Sequence, residues 1–152
     1  MEENIQTTAE AAEAAAMPKP HEVHCDPDAK AVDENNVPEG VTKTPLAQKS
    51  PARWAYERII IYLKNFEESL DNDQEVAMGF TGGDAGVLRI EGMGYYDPDI
   101  VTFYGSDRGG AKTQLVQHVS QLNVMFRALP KATEEEEPVR IGFKLAQDLE
   151  EN

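Results

Sequence analysis

His118 is the single histidine in the C-terminal two thirds of the chain, and two carboxylates, Asp97 and Asp99, flank Pro98 upstream of it. An imidazole with an ordinary pKa of about 6.5 can take and return a proton near neutral pH. Paired with Asp97 or Asp99, it is the one acid–base set from which a small hydrolase or transferase could be built, with Ser120 or Thr113 as the nucleophile. The spacing argues against that use. Residues two apart on a strand share a face, but sharing a face does not orient a base the way a triad requires. Asp-Pro-Asp is also ordinary turn chemistry, in which the carboxylates bond their own backbone, and Asp84 beside Gly83 has the same character. His118 therefore reads as a structural histidine, and the catalytic set with Asp97 and Asp99 stands as the alternative.

Two other patterns invite a ligand. The stretch "GFTGGDAG" (79–86) is rich in glycine, yet it has no lysine, and the residues after it alternate like a strand. A phosphate loop needs Gly-Lys-Ser/Thr before a helix, and a dinucleotide loop needs its glycines between strand and helix, so these glycines turn a hairpin. His21, His24 and Cys25 are competent zinc or copper ligands. Their spacing completes no four-ligand pattern, which leaves incidental clustering or weak metal capture. No cofactor is implied.

The elements that must position these groups begin at Ser50, a natural N-cap, with Pro51 in the first helical position. Ala55, Ile59, Tyr62, Leu63, Phe66 and Leu70 then recur at helical spacing, while Trp54 and Ile61 lie off that stripe and hint at a second buried surface or a partner. After "DND" (71–73) the period becomes two. "EVAMGF", "VLRIEGM" and "IVTFYG" read as strands separated by turns, and Thr113 to His118 as a fourth strand. From Ser120 the pattern Leu122, Phe126, Leu129 predicts a helix that Pro130 stops, and "VRIGFKL" (139–145) alternates as a last strand. The expected order is α-β-β-β-β-α-β: an α+β domain over residues 50–149, with two helices on a mostly antiparallel sheet of about five strands.

Residues 1–49 contain no aromatic residue and no apolar period, so they read as a disordered acidic tail. Acidity is general. Residues 1–50 carry 4 Lys against 10 Asp plus Glu, and the whole chain has a net charge of -14. That excludes a phosphate-tracking groove and disfavours anionic membrane surfaces, which leaves no nucleic-acid and no membrane partner. With one cysteine, no basic-apolar leader and no apolar run of ~20 residues, the expectation is a cytoplasmic protein.

The segments "WAYERI", "MGFTGGDAGVLRIEGMGYYDPDIVTFYG", "TQLVQHVSQLNVMFRALP" and "RIGFKL" resemble an uncharacterised, mainly alphaproteobacterial family that carries a domain-of-unknown-function label. The resemblance covers about residues 51–148, implies a cytoplasmic bacterial protein and transfers no activity. In size, acidity and element order the chain is also similar to the small acidic chaperones of bacterial secretion systems.

The remaining feature is aromatic. Trp54 and Tyr56, Tyr95 and Tyr96, and Phe103 and Tyr104 lie next to or near one another, and neighbours on a strand face opposite ways, so one ring of each strand pair points away from the core. Helices covering both faces of the sheet would bury them all. Left uncovered, they mark a protein-binding surface or a homodimer interface, with Trp54, Tyr96 and Tyr104 as anchors. The sequence thus favours a non-enzymatic protein-interaction module, of adaptor or chaperone type. The His118 enzyme and a small-ligand-sensing domain are the alternatives.

Overall fold

The computed structural model describes residues 23–26, 41, 43–80, 86–131 and 136–151. They form helix α1 (Pro51–Glu68), strands β1 (Gln74–Phe80), β2 (Val87–Tyr96), β3 (Ile100–Ser106), β4 (Lys112–His118) and β5 (Val124–Pro130), and helix α2 (Ile141–Glu151). Two helices and a five-stranded antiparallel sheet are what the sequence predicts. The last two elements exchange places: the helix expected from Ser120 is β5, and the strand expected at 139–145 opens α2.

Both exchanges have a physical cause. Leu122, Val124, Phe126 and Ala128 also satisfy a period of two, and β5 shows that alternation in its burial. Its pairing with β1 along all seven positions, from Gln74↔Pro130 to Phe80↔Val124, meets a need that β2 leaves open, since β2 pairs with β1 only at Met78↔Leu88 and Gly79↔Val87. Without β5 most of β1 would lack backbone partners. At the other exchange, Ile141, Leu145, Ala146 and Leu149 repeat at helical spacing and face the core, while Val139 and Phe143, which a strand would have buried beside Ile141, are exposed.

The sheet order is β4-β3-β2-β1-β5. In a flat sheet, β4 and β5 would lie about 19 Å apart sideways and about 30 Å apart along β2. The chain between His118 and Val124 can extend ~21 Å at most, and its 3-10 turn at Val119–Gln121 shortens that further. The sheet must therefore fold on itself. It does so along β2, whose register shifts at a bulge between Ile90 and Gly92. The first part of β2 lies with β1 and β5, the second with β3 and β4.

Phe103 is fully buried in the fold, with Val76, Met78, Leu88, Ile90 and Val101 around it and the Phe80 ring 4.9 Å away. Buried side chains of this kind contribute about 1.5–3 kcal/mol each. α1 closes the open side with Leu63, Ile59 and Phe66, the last against Phe126. Ser50 caps α1 as expected, accepting from the Arg53 amide at 3.0 Å, with Pro51 next in line. Of the predicted stripe, Tyr62 is exposed and lies under the Arg58 guanidinium. Ile61 joins a second cluster with Val41, Tyr56, Ile60, Ala146 and Leu149, the second buried surface that its position off the stripe suggested. Val41, Thr44 and Lys49 thus engage α1 from within the segment read as tail. Neither helix is long and apolar enough to cross a membrane.

At the bend, Gly105 sits against the β2 backbone, where a Cβ would run into the Arg89 carbonyl. Gly105→Ala is expected to destabilise the domain by about 1–3 kcal/mol, read from urea denaturation, and to loosen the amides of β2 and β3 first in hydrogen exchange.

Candidate functional site

The hairpins β2–β3 and β3–β4 set the outward row of the meander. Gly92 lies opposite Tyr104, Gly94 opposite Thr102 and Tyr96 opposite Ile100; across the other side of β3 these meet Gln114, Val116 and His118. Both helices pack on the opposite face, against Met93, Tyr95, Val101 and Phe103. Neither helix covers the outward row, in contrast to a sheet covered on both faces, although Thr102 at its centre is buried. Tyr96 is 61% exposed, Val116 57% and Tyr104 37%. Gly92 and Gly94 add no side chain of their own to this row; the Tyr104 side chain lies against Gly92 and the buried Thr102 hydroxyl against Gly94. Gln114 donates to the Tyr104 hydroxyl at 3.3 Å and steadies that ring. Of the adjacent aromatic pairs, Phe103 and Tyr95 turn inward, Tyr95 packing tilted against Tyr56 at 5.0 Å, while Tyr104 and Tyr96 turn out.

At one end of this face, the Asp97-Pro98-Asp99 turn, whose Asp97–Pro98 bond is cis, joins three elements. Ser50 Oγ donates to Asp97, the Ala52 amide donates to the Pro98 carbonyl at 2.9 Å, and the Val119 amide to the Asp99 carbonyl at 2.9 Å. His118 Nε2 lies 2.8 Å from Asp99 Oδ2, and Nδ1 lies 2.8 Å from Ser120 Oγ. The structure thus brings together Asp99, His118 and Ser120; Asp97 is engaged with Ser50 instead. Nδ1 also accepts the Ser120 amide at 3.1 Å and so caps the 3-10 turn. An accepting Nδ1 fixes the proton on Nε2, facing Asp99.

These distances meet the reach that a nucleophile, base and orienting carboxylate need. The surroundings do not complete the set. The Ser120 hydroxyl and the Ser120 amide compete for one lone pair, and the His118 and Asp99 side chains are 47% and 38% exposed, so water is not excluded. As built, the trio pins the end of β4 to the β2–β3 turn.

Trp54 lies apart from the outward row, in a groove of about 450 Å³ lined also by Leu46, Pro51, Ala55, Val119 and Leu122. Its indole N–H is buried and meets no acceptor among the described residues. The groove's rim at Ser50 meets the turn after Tyr96. Of the metal-ligand types singled out, His24 and Cys25 are exposed and His21 lies outside the described residues; among the described residues, no group of three His, Cys, Asp or Glu is placed to hold a metal ion. Gly86 (φ +69°) precedes β2, and the antiparallel β1 and β2 flank the glycine-rich stretch, of which residues 81–85 lie outside the described set.

Sequence reasoning missed the buried charges. Lys49, itself buried, donates to Glu57 at 2.9 Å and to the Val41 carbonyl at 2.6 Å, while Arg53 Nε reaches the other oxygen of Glu57 at 2.9 Å. Glu67, 1% exposed, receives the Phe143 amide at 3.1 Å, so a carboxyl on α1 serves the first turn of α2. Gly142 permits the approach, since a Cβ there would collide with that carboxyl. Glu57 and Glu67 look like solvated helix positions in the sequence; Val41, Thr44 and Lys49 docking on α1, and α2 docking beside them, bury them.

Burial pushes the Glu67 carboxyl above its ordinary 4.5, against the opposing pull of the α2 amides and Arg140. A raised carboxyl binds more protons folded than unfolded. Its stabilising contribution is full below the unfolded value and is lost as pH rises through the folded one. Relative to Glu67→Gln, the wild-type protein is thus expected to gain stability as pH falls from neutral toward 4.5, measured as the difference between the two urea-denaturation profiles.

No curated protein and no solved structure matches the chain. The model of a family of unknown function, DUF6173, matches residues 52–144, from α1 into α2 and through the whole sheet, and the chain belongs to that family.

Proposed function

We propose that this domain is a non-enzymatic protein-interaction module, of adaptor or chaperone-like type, that engages a protein partner on the outward row of its β2–β3–β4 meander. The single observation that carries the reading is the joint exposure of Tyr96, Tyr104 and Val116 on a sheet face that neither helix covers. Tyrosine supplies large contact area with few rotatable bonds and a polar tip, which is why it anchors protein interfaces. Trp54 and its groove extend the candidate surface around the Asp97 turn.

Tyr96→Ala and Tyr104→Ala are each expected to weaken partner binding by about tenfold or more and to change folding stability by about 1 kcal/mol or less. Affinity capture from native cells, with quantitative mass spectrometry against the double variant, checks this. A stoichiometric partner lost with both rings supports the module; unchanged capture, or an unfolded variant, counts against it.

The Asp99–His118–Ser120 hydrogen bonds favour one second reading, acyl transfer to Ser120 with His118 as base. Hydrolysis of an activated ester that is unchanged in Ser120→Ala removes it.

A further inference from the structure

The carboxylates of this chain are unevenly placed. Residues 108–133 contain no Asp or Glu, in a sequence with 28 of them, and they hold Arg108, Lys112, Arg127 and Lys131. Both edge strands of the sheet, β4 and β5, lie inside that run. For a chain of net charge -14, repulsion between two copies is weakest where an acid-free edge meets an acid-free edge.

The two edges are not equivalent. β5 carries Arg127 in mid-strand and ends at Pro130, features that blunt an edge. β4 pairs with β3 at seven consecutive positions without a bulge, contains no proline or glycine, and has a lysine only at its first position. Among the described residues no strand pairs with its other side. Such an edge is a template for another strand.

We infer that β4 pairs antiparallel with β4 of a second copy of this chain, about a two-fold axis at Leu115. In such an isologous contact each position meets its mirror in the sequence. Lys112 then falls opposite the partner's His118 and beside the partner's Asp99, an ion pair formed twice. Thr113 falls opposite the partner's Gln117, a polar pair on the inward side. Gln114 and the partner's Val116 meet on the outward side. The edge is thus complementary to itself in charge, in polar groups and in its row of backbone donors and acceptors. Pairing would place the two outward rows side by side as one face, but it does not require that face to bind anything else.

Light scattering and sedimentation equilibrium on the full chain test the inference. The wild-type protein is expected at twice the chain mass, dissociating on dilution. Lys112→Glu sets an acid against the partner's Asp99 and is expected to raise the dimer dissociation constant by about tenfold or more. Adding Asp99→Lys to it should restore pairing. In case Asp99→Lys disturbs its turn, hydrogen exchange on the wild-type protein gives a second readout: β4 amides should gain protection with concentration while β5 amides do not. A monomer at every concentration, a dimer indifferent to Lys112→Glu, or protection gained on β5 instead would overturn the proposal. A monomer that still loses its captured partner with Tyr96→Ala would overturn it while leaving the outward-row reading in place.

Discussion

β2 has to belong to two sub-sheets at once, and the rest of the molecule depends on how it manages this. A connection of five residues cannot carry the chain across a flat five-stranded sheet, so the strand bends at its bulge and Gly105 admits the close backbone contact there. The bend brings β5 to β1, wraps the two sub-sheets around Phe103 and leaves a single open side for α1 to close. It also decides what remains uncovered. With both helices on one side, Tyr96, Tyr104 and Val116 on the other face of the meander stay exposed, and β4 is left as an edge among the described residues.

Elements whose period was unambiguous could be read from the sequence. Ser50 and Pro51 announced α1, and four alternating runs gave β1 to β4. The two misread segments share a property: Leu122 to Leu129 and Val139 to Leu145 fit both periods, so local pattern does not choose between helix and strand. Backbone accounting chooses. β1 needed a partner on its far side, and that need is visible only when strand neighbours are known. The same limit applies to the site. Tyr96 and Tyr104 were legible because strand geometry alone sends one of two adjacent residues outward. Glu57 and Glu67 were not, because nothing near them in sequence shows what will dock on them.

The corner at Asp97 to Asp99 shows how far side-chain identity underdetermines role. Asp, His and Ser in hydrogen-bond contact are the parts of a nucleophilic triad, yet here the imidazole's accepting nitrogen already serves a backbone amide. The same bonds that resemble activation hold a turn, a strand end and the start of α1 in register.

The second cluster joins Val41, upstream of α1, to Ala146 and Leu149 of α2, and Glu67 holds the α2 entrance. An eleven-residue helix is marginal by itself, so α2 acquires its shape only on a surface that α1 and β2 have already presented. Contacts so distant in sequence form late and slowly. During synthesis the sheet can assemble with Tyr56 against Tyr95 while Ile60 and Ile61 still lack Ala146 and Leu149, and that part of the cluster stays open until α2 docks. The interval before α2 docks is when this domain is most exposed to misassembly with its neighbours on the same message.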